Sequence, residues 1–189
     1  MRKLEVARRQ LGVATHLFIN DREPVSVHTL ACASREILER LCTASLKPSV
    51  MSHIAENARR SILSIRDLAN QYGRAFKHHD PARNDEELLA VFSDQQNDFL
   101  LFIAWHDYRC LTGRMPVEAQ ALYSWVEALY PDKMAIARNF DHIPSLSGLV
   151  GLPRAEQKIR LHETVEHARG PSELQNHPET ESVELVLRH

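Results

Sequence analysis

Apolar residues recur every three or four positions along most of the chain, which is the spacing of helices that bury one face. The first apolar stripe runs from Leu4 to Phe18 and ends before a polar stretch. Pro24 then suits the first turn of a second helix, which ends before Pro48. No segment has the alternation of a convincing strand, and residues 183–187 are the only candidate. The pattern therefore predicts an all-α protein.

The pattern continues with three more long helices and a short sixth one. Their predicted limits are Ser49 or Ser52 to Phe76, Asn84 or Asp85 to Gly113, Pro116 to Leu129, and Pro131 to about Phe140. Residues 143–153 are rich in Pro, Ser and Gly, which is typical of a linker. We expect an antiparallel bundle of four to five helices in residues 1–142. Residues 143–189 are expected to form a linker, a short helix and a weakly structured, flexible tail.

Composition narrows the possible functions. Of the 189 residues, 43% are hydrophobic, which is enough for one sizeable core. No apolar run approaches the ~18 residues of a membrane span, and the N-terminal segment does not resemble a signal peptide, so we expect a cytoplasmic protein. The net charge of −2 means that a nucleic-acid site would need a local basic surface. No nucleotide-binding motif and no CxxC pair occurs, so no cofactor is expected.

One segment concentrates reactive side chains. Residues 74–80 hold five ionisable side chains at the predicted end of the third helix. Arg74 and His78 are four apart and share a helix face, with His79 about 100° further round. An arginine can hold an RNA phosphate while a histidine transfers a proton to or from a ribose hydroxyl, with Lys77 as a second phosphate contact. This chemistry needs no metal, because RNA supplies its own 2′-hydroxyl.

This segment resembles the motif of the HEPN superfamily, in which an arginine is followed by a histidine after four to six residues. The resemblance covers about the first 110 residues in helical layout and residues 74–79 in detail. It implies a helical bundle that forms homodimers, and a metal-independent ribonuclease of the toxin or defence type. The implied roles are Arg74 at the phosphate, His79 in proton transfer and His78 as its substitute or positioning group. Ala75 departs from the polar residue that active members carry there, which leaves room for an inactive relative.

Two other interpretations stay open. Basic residues in the last turn of a helix interact favourably with its negative end, so the segment can be an ordinary helix terminus. The chain would then be a non-catalytic interaction or regulatory protein. A metal site formed by His78, His79 and Asp80 with His106 and Asp107 is disfavoured, because the far end of the fourth helix should lie about 30 Å away. We therefore expect no metal.

Overall fold

The computed structural model describes residues 1–78, 84–134, 140 and 142–187. The helices in these ranges are α1 (Lys3–Ile19), α2 (Pro24–Ala44), α3 (Val50–Asn57), α4 (Ile62–Ala75), α5 (Asp85–Ala90), α6 (Gln96–Thr112), α7 (Val117–Leu129), α8 (Arg154–Arg169) and α9 (Ser172–Gln175). The described residues contain no strand, only an isolated bridge between Met115 and Thr180. The prediction of an all-α protein is confirmed.

The main core lies between α1, α2, α6, α7 and α8. Trp105 of α6 and Trp125 of α7 are fully buried in it. The Trp105 indole donates to the hydroxyl of Thr15 at 2.8 Å, and the Trp125 indole donates to the carbonyl of Gln157 at 2.9 Å. Both ring N–H groups are therefore satisfied where water is excluded. These pairs connect α6 to α1 and α7 to α8.

The predicted third helix consists of two helices, α3 and α4. Ser49 caps α3 as expected, its hydroxyl accepting from the Ser52 amide at 3.3 Å. The chain then leaves helical geometry at Arg59, whose φ is +51°. Ser61 starts α4 by accepting from the Ser64 amide at 3.1 Å. The single helix of the prediction is wrong here, because a non-glycine residue adopts a left-handed conformation and a second serine cap follows.

The predicted fourth helix is divided as well, into α5 and α6. The connection contains Ser93, whose amide and hydroxyl both donate to the side-chain carbonyl of Gln96, at 3.0 and 2.9 Å. This side-chain contact holds a turn where the apolar spacing alone suggested continuous helix. The expected sixth helix is represented by a short 3₁₀ turn at Pro131–Lys133, and much of its remainder lies outside the described residues.

Several residues of the C-terminal part contact the helical core, and the division between residues 1–142 and 143–189 stays a prediction. Leu149, Leu161 and Leu185 are buried in the same core as α1 and α2. Arg154 at the start of α8 binds Asp94 and Asp98 of the α5–α6 region, at 2.7 and 2.6 Å. Several side chains within residues 143–187 thus pack against the helical core. The apolar spacing did not predict this packing, because charged side chains provide much of the attachment.

Lys158 gives α8 a second attachment. The ammonium donates to the Phe18 carbonyl and lies 3.2 Å from the centre of the Phe18 ring. Burial, followed by the nearby Arg154 charge, lowers the pKa of Lys158 to about 8. Asp94 and Asp21 lie 3.8 and 3.9 Å from its nitrogen and partly offset that cost. A polar helix is therefore held by cations that pack on aromatic rings.

The last described segment crosses α1. Arg8 is buried and donates from Nε to the Glu181 carboxylate at 2.8 Å and from Nη1 to the Leu185 carbonyl at 2.8 Å. Tyr108 of α6 donates to the same carboxylate at 2.8 Å. The segment passes so close to Gly12 that a Cβ there would lie 2.1 Å from the Leu185 carbonyl oxygen. A glycine in mid-helix is required for this approach.

None of the helices in the described ranges is long and apolar enough to cross a membrane. Cys32 and Cys42 are buried free thiols. Burial raises the pKa of Cys32 to about 11 and that of Cys42 to about 12, which keeps both protonated and unreactive.

Candidate functional site

The end of α4 presents three cationic or titratable side chains to solvent. Arg74 lies in the last turn, and the exposed Lys77 and His78 follow it. The amides of Lys77 and His78 both donate to the Arg74 carbonyl, at 3.1 and 2.9 Å, so the chain keeps turning beyond the helix. The structure thus brings three of the four predicted site residues together. The predicted His79 lies outside the described residues.

Arg74 is engaged by a carboxylate of its own helix. Its Nη1 donates to Oδ1 of Asp67 and its Nη2 donates to the Asp67 carbonyl, both at 2.9 Å. The Arg74 side chain is 41% exposed and that of Asp67 is 69% exposed. An ion pair this open to water contributes ~0–1 kcal/mol, so the guanidinium can exchange the carboxylate for another anion at small cost.

Aromatic side chains fix the position of this helix end. Tyr72 of α4 and Phe76 directly after it, together with Phe92 before α6, surround the imidazole of His28 in α2. Their ring centres lie 5.8, 5.6 and 5.4 Å from the imidazole centre, and each ring is nearly perpendicular to it. Edge-to-face contacts of this kind stabilise a defined arrangement of rings. Because Phe76 lies between Arg74 and His78 in sequence, the cluster positions the exposed side chains on a rigid base.

His28 is a functional candidate that the sequence did not identify. It is 3% exposed, and its Nδ1 lies 2.9 Å from Oδ1 of Asn97. Asn97 donates its amide to the Pro24 carbonyl at 3.1 Å, so its oxygen accepts from His28 and the imidazole proton resides on Nδ1. Burial lowers the pKa of His28, against the raising effect of the Asn97 hydrogen bond. Nε2 is therefore a neutral acceptor, and it has no hydrogen-bond partner among the described residues.

Arg35 lies two turns further along α2 and is fully buried. Its Nη1 donates to Glu39 at 2.9 Å, and its Nη2 donates to the side-chain carbonyl of Asn70. Glu39 also accepts from Arg66 of α4 at 2.8 Å. The buried positive charge is thus compensated locally. Within the described residues the Arg35 Nε–H has no acceptor.

His28 and Arg35 line one cavity of about 170 Å³ between α2, α4 and α6. Apolar and aromatic side chains form much of the remaining wall, among them Leu68, Tyr72, Phe99 and Ile103. Each of these two residues at the mainly apolar cavity thus also carries one buried polar atom without a partner in the described protein. One sequence signal for this site was available: His28 lies beside the apolar stripe of α2, where a polar side chain needs a partner from elsewhere in the chain.

The structure places the other candidate metal ligands in separate hydrogen bonds. Nδ1 of His106 lies 2.9 Å from the Tyr123 hydroxyl, and Asp107 accepts from the Val50 amide at 2.9 Å. In the part of the chain that the structure describes, no three His, Cys, Asp or Glu side chains are arranged to hold a metal ion. His79 and Asp80 fall outside that part.

Comparisons with protein-family models, curated proteins and solved structures gave no match to this chain. The resemblance of residues 74–79 to the HEPN motif therefore stays a prediction from the residues themselves.

Proposed function

We propose that this chain is a HEPN-like helical protein that binds RNA at the end of α4 and cleaves it without a metal ion. The proposed protein has an antiparallel bundle of four to five helices as its scaffold and acts as a homodimer. The observation that carries the proposal is the half-exposed Arg74 beside the exposed Lys77 and His78 at a helix end that aromatic contacts anchor.

In this function Arg74 and Lys77 contact phosphate oxygens. A guanidinium binds two oxygens of one phosphate in a fork, and a lysine adds a mobile positive charge. Without RNA, Asp67 pairs with the Arg74 guanidinium. Because this exposed ion pair is weak, an RNA phosphate can displace the carboxylate. The net charge of −2 does not oppose this, since a local cluster of cations suffices to contact a few phosphates.

His79 accepts the proton of the ribose 2′-hydroxyl, and His78 assists or replaces it. The 2′-oxygen attacks the adjacent phosphorus, while Arg74 offsets the developing negative charge. As this bond forms, the bond from phosphorus to the 5′-oxygen breaks and the 5′-oxygen takes a proton from solvent, which releases a 5′-hydroxyl end and leaves a 2′,3′-cyclic phosphate. The role of His79 rests on its spacing from Arg74 in the sequence.

A second candidate is a non-catalytic interaction or regulatory protein. The observation that favours it is the double contact between Arg74 and Asp67, which gives the arginine a structural partner on its own helix. In that case Lys77 and His78 only complement the negative end of α4. RNA binding and cleavage separate the two candidates directly.

The test is incubation of the purified full chain with mixed-sequence RNA in EDTA, beside Arg74→Ala, His78→Ala and His79→Ala. We expect cleavage to products with 2′,3′-cyclic phosphate ends, and its loss in Arg74→Ala and His79→Ala. The matched control is Arg109→Ala, because Arg109 is 39% exposed and pairs with Glu179 at 2.8 Å, much as Arg74 pairs with Asp67.

RNA affinity provides a second measurement on the same variants. Each phosphate contact to single-stranded RNA contributes ~0.7 to the slope of log affinity against log salt concentration. Arg74→Ala should lower that slope by about this amount, while Arg109→Ala should leave it unchanged. Folded protein that neither binds nor cleaves RNA would identify the non-catalytic candidate instead.

A further inference from the structure

A second cavity, between α2 and α4, is lined by polar and charged side chains, three of them arginines. The lining residues are Arg35, Glu36, Glu39, Arg40, Arg66 and Asn70. Arg35 and Glu39 are buried, whereas Arg40 is exposed and the Arg66 side chain is 38% exposed. The cavity therefore joins a buried ion pair to cationic side chains that reach solvent.

One carboxylate of this cavity serves two guanidinium groups. Oε2 of Glu39 accepts from Nη1 of Arg35 at 2.9 Å, and Oε1 accepts from Nε of Arg66 at 2.8 Å. A single negative charge thus pairs with two positive charges. Arg40 adds a third positive charge, which makes no ion pair with a described residue, and Glu36 is the one other carboxylate of the lining. The lining therefore has an excess of positive charge, which attracts an anion.

The hydrogen-bonding groups left over in this cavity are mainly donors. Nη2 of Arg35 donates to Oδ1 of Asn70, so the NH₂ group of the Asn70 amide is the end left for another partner. Within the described residues Arg66 donates only from Nε, and the Arg40 guanidinium donates to no residue. Both Glu39 oxygens already accept. This set of groups suits a ligand that is rich in acceptors.

A single phosphate group has the size and charge that this cavity favours. The cavity volume of about 170 Å³ is below the ~300–1,000 Å³ of pockets for drug-sized ligands. Guanidinium groups bind phosphate oxygens through forked pairs of hydrogen bonds. No lining side chain is aliphatic or aromatic, so the lining offers no apolar surface to a ring or a hydrocarbon chain.

Helix α4 connects this cavity to the proposed catalytic end. Nη2 of Arg74 donates to the Asp67 carbonyl, so the Arg74 guanidinium lies beside the residue that follows Arg66. Asn70 lies four residues after Arg66 and four before Arg74, which places these side chains in succession along the helix surface. A strand bound at Arg74 therefore meets a second cationic site on the same helix.

We propose that this cavity binds a backbone phosphate of the same RNA whose scissile linkage lies at Arg74. Arg40 and the terminal nitrogens of Arg66 donate to the phosphate oxygens, and the Asn70 amide adds a neutral donor. Phosphate contacts fix the position of a strand without reading its sequence, so two of them on α4 set which linkage reaches the proposed catalytic end. The inference rests on the proposed function, because the RNA is what delivers the phosphate.

The test measures binding of a 2′-O-methyl RNA, which lacks the nucleophile and stays intact, to the full chain over a series of salt concentrations. Arg40→Gln should lower the slope of log affinity against log salt concentration by ~0.7, the value for one phosphate contact to a single strand. This corresponds to about a fourfold loss of affinity at ~0.15 M salt. Glu36→Gln should raise the affinity by about twofold or more, because it removes a carboxylate that repels the phosphate.

The controls are exposed charges outside the cavity. Arg114→Gln removes a guanidinium and Glu163→Gln removes a carboxylate, and both variants should bind RNA like the unmodified chain. Damage to the fold would lower the affinity in every variant. The opposite effects expected for Arg40→Gln and Glu36→Gln therefore separate a phosphate contact from a structural role.

Inorganic phosphate distinguishes a backbone phosphate from a free one. It is titrated into the ¹⁵N-labelled full chain while the Nε–H signal of Arg66 is followed by NMR, with Arg66→Gln to assign the signal. We expect no saturation below ~1 mM, because one phosphate alone lacks the contacts of the strand at Arg74. Saturation below that concentration would make free phosphate the occupant and overturn the assignment to RNA.

The outcomes separate this inference from the proposed function. Folded Arg40→Gln and Glu36→Gln that keep the affinity and salt slope of the unmodified chain, while Arg74→Ala lowers them, would overturn the second phosphate site alone. Binding that depends on Arg40 and Glu36, without cleavage of unmodified RNA, would support this site and refute the proposed ribonuclease. A chain that binds no RNA would refute both.

Discussion

Asp107 is fully buried in α6, where one of its carboxylate oxygens accepts from the Val50 amide at the start of α3. Its second oxygen, Oδ2, has no hydrogen-bond partner among the described residues. Burial, and to a smaller extent the Glu39 charge, raises the pKa of Asp107 to about 6. The folded protein therefore binds this proton more tightly than the unfolded chain does.

Asp107→Asn is expected to change how stability depends on pH. Between pH 4 and pH 6 the unfolded chain binds fewer protons at this position, so the Asp107 contribution to stability falls as pH rises and is lowest above pH 6. The difference of about two pKa units corresponds to ~3 kcal/mol. Asn keeps an acceptor for the Val50 amide without carrying a charge. The free energy of unfolding of the variant, relative to that of the unmodified chain, should therefore rise by up to ~3 kcal/mol between pH 4 and pH 7.

Urea unfolding of both proteins across this pH range measures that difference. Asp132→Asn removes the same charge from an exposed position and serves as the control. If the free energy of unfolding changed with pH in the same way for Asp107→Asn and for the unmodified chain, Asp107 would not be responsible for the pH dependence. The comparison between variants is needed because His28 acts in the opposite direction: its lowered pKa makes the folded protein less stable as pH falls below about 6.5.

The exposure or burial of a single residue was predictable from sequence only where its neighbours in the chain determine it. The exposure of Lys77 and His78 follows from their position after a strong apolar stripe. The burial of His28 does not, because its hydrogen-bond partner Asn97 is 69 residues away. Local spacing carries no information on such a pair.

At the level of elements, α1, α2 and α7 were predictable because apolar stripes end at Pro or polar residues there. The division between α3 and α4 was not, since Arg59 adopts its left-handed conformation without a glycine or proline to mark it. The segment after α9 was also missed. Its attachment depends on Arg8, Tyr108 and Glu181 meeting across nearly the whole chain, with a sequence separation of 173 between Arg8 and Glu181.

Gly12→Ala tests the contact between α1 and this segment. Ala normally stabilises a helix interior by ~1 kcal/mol relative to Gly. Here the new Cβ would lie 2.1 Å from the Leu185 carbonyl oxygen and 2.7 Å from Nη1 of Arg8, so the segment must move away. We expect a lower free energy of unfolding and faster proteolytic cleavage within residues 178–187.

Limited proteolysis with mass spectrometry locates the cleavage, and urea unfolding gives the change in stability. Arg8→Ala should produce the same cleavage pattern, because it removes the hydrogen bonds to Glu181 and to the Leu185 carbonyl. A Gly12→Ala protein that is more stable, with an unchanged cleavage pattern, would contradict the close approach.

For the whole molecule, the proposed homodimer requires a surface that a second copy can cover. Helix α4 exposes Leu63 and Leu68, at 66% and 57%, on the element that ends at Arg74. Exposed apolar side chains along the helix that ends at Arg74 would let two copies pair through α4.

Leu63→Glu should shift this dimer to monomer. A carboxylate buried between two copies is costly, so the dissociation constant should rise by about tenfold or more. Light scattering coupled to size-exclusion chromatography measures the mass over a concentration series. Val183→Glu is the matched control, because Val183 is 47% exposed and lies outside α4. An unmodified chain that is monomeric at all concentrations would remove the dimer from the proposal.

The crossing of Leu185 over Gly12 also affects how the protein is made. During synthesis the chain emerges from its N-terminus at ~5–20 residues per second, so α1 is available long before Leu185 is added. Until then Arg8 lacks both the Glu181 carboxylate and the Leu185 carbonyl that it binds in the finished fold. Contacts of such large sequence separation form slowly. Closure of this segment on α1 should therefore be a late step, and nascent chains that end before residue 181 should expose the Arg8 side of the core to chaperones and proteases.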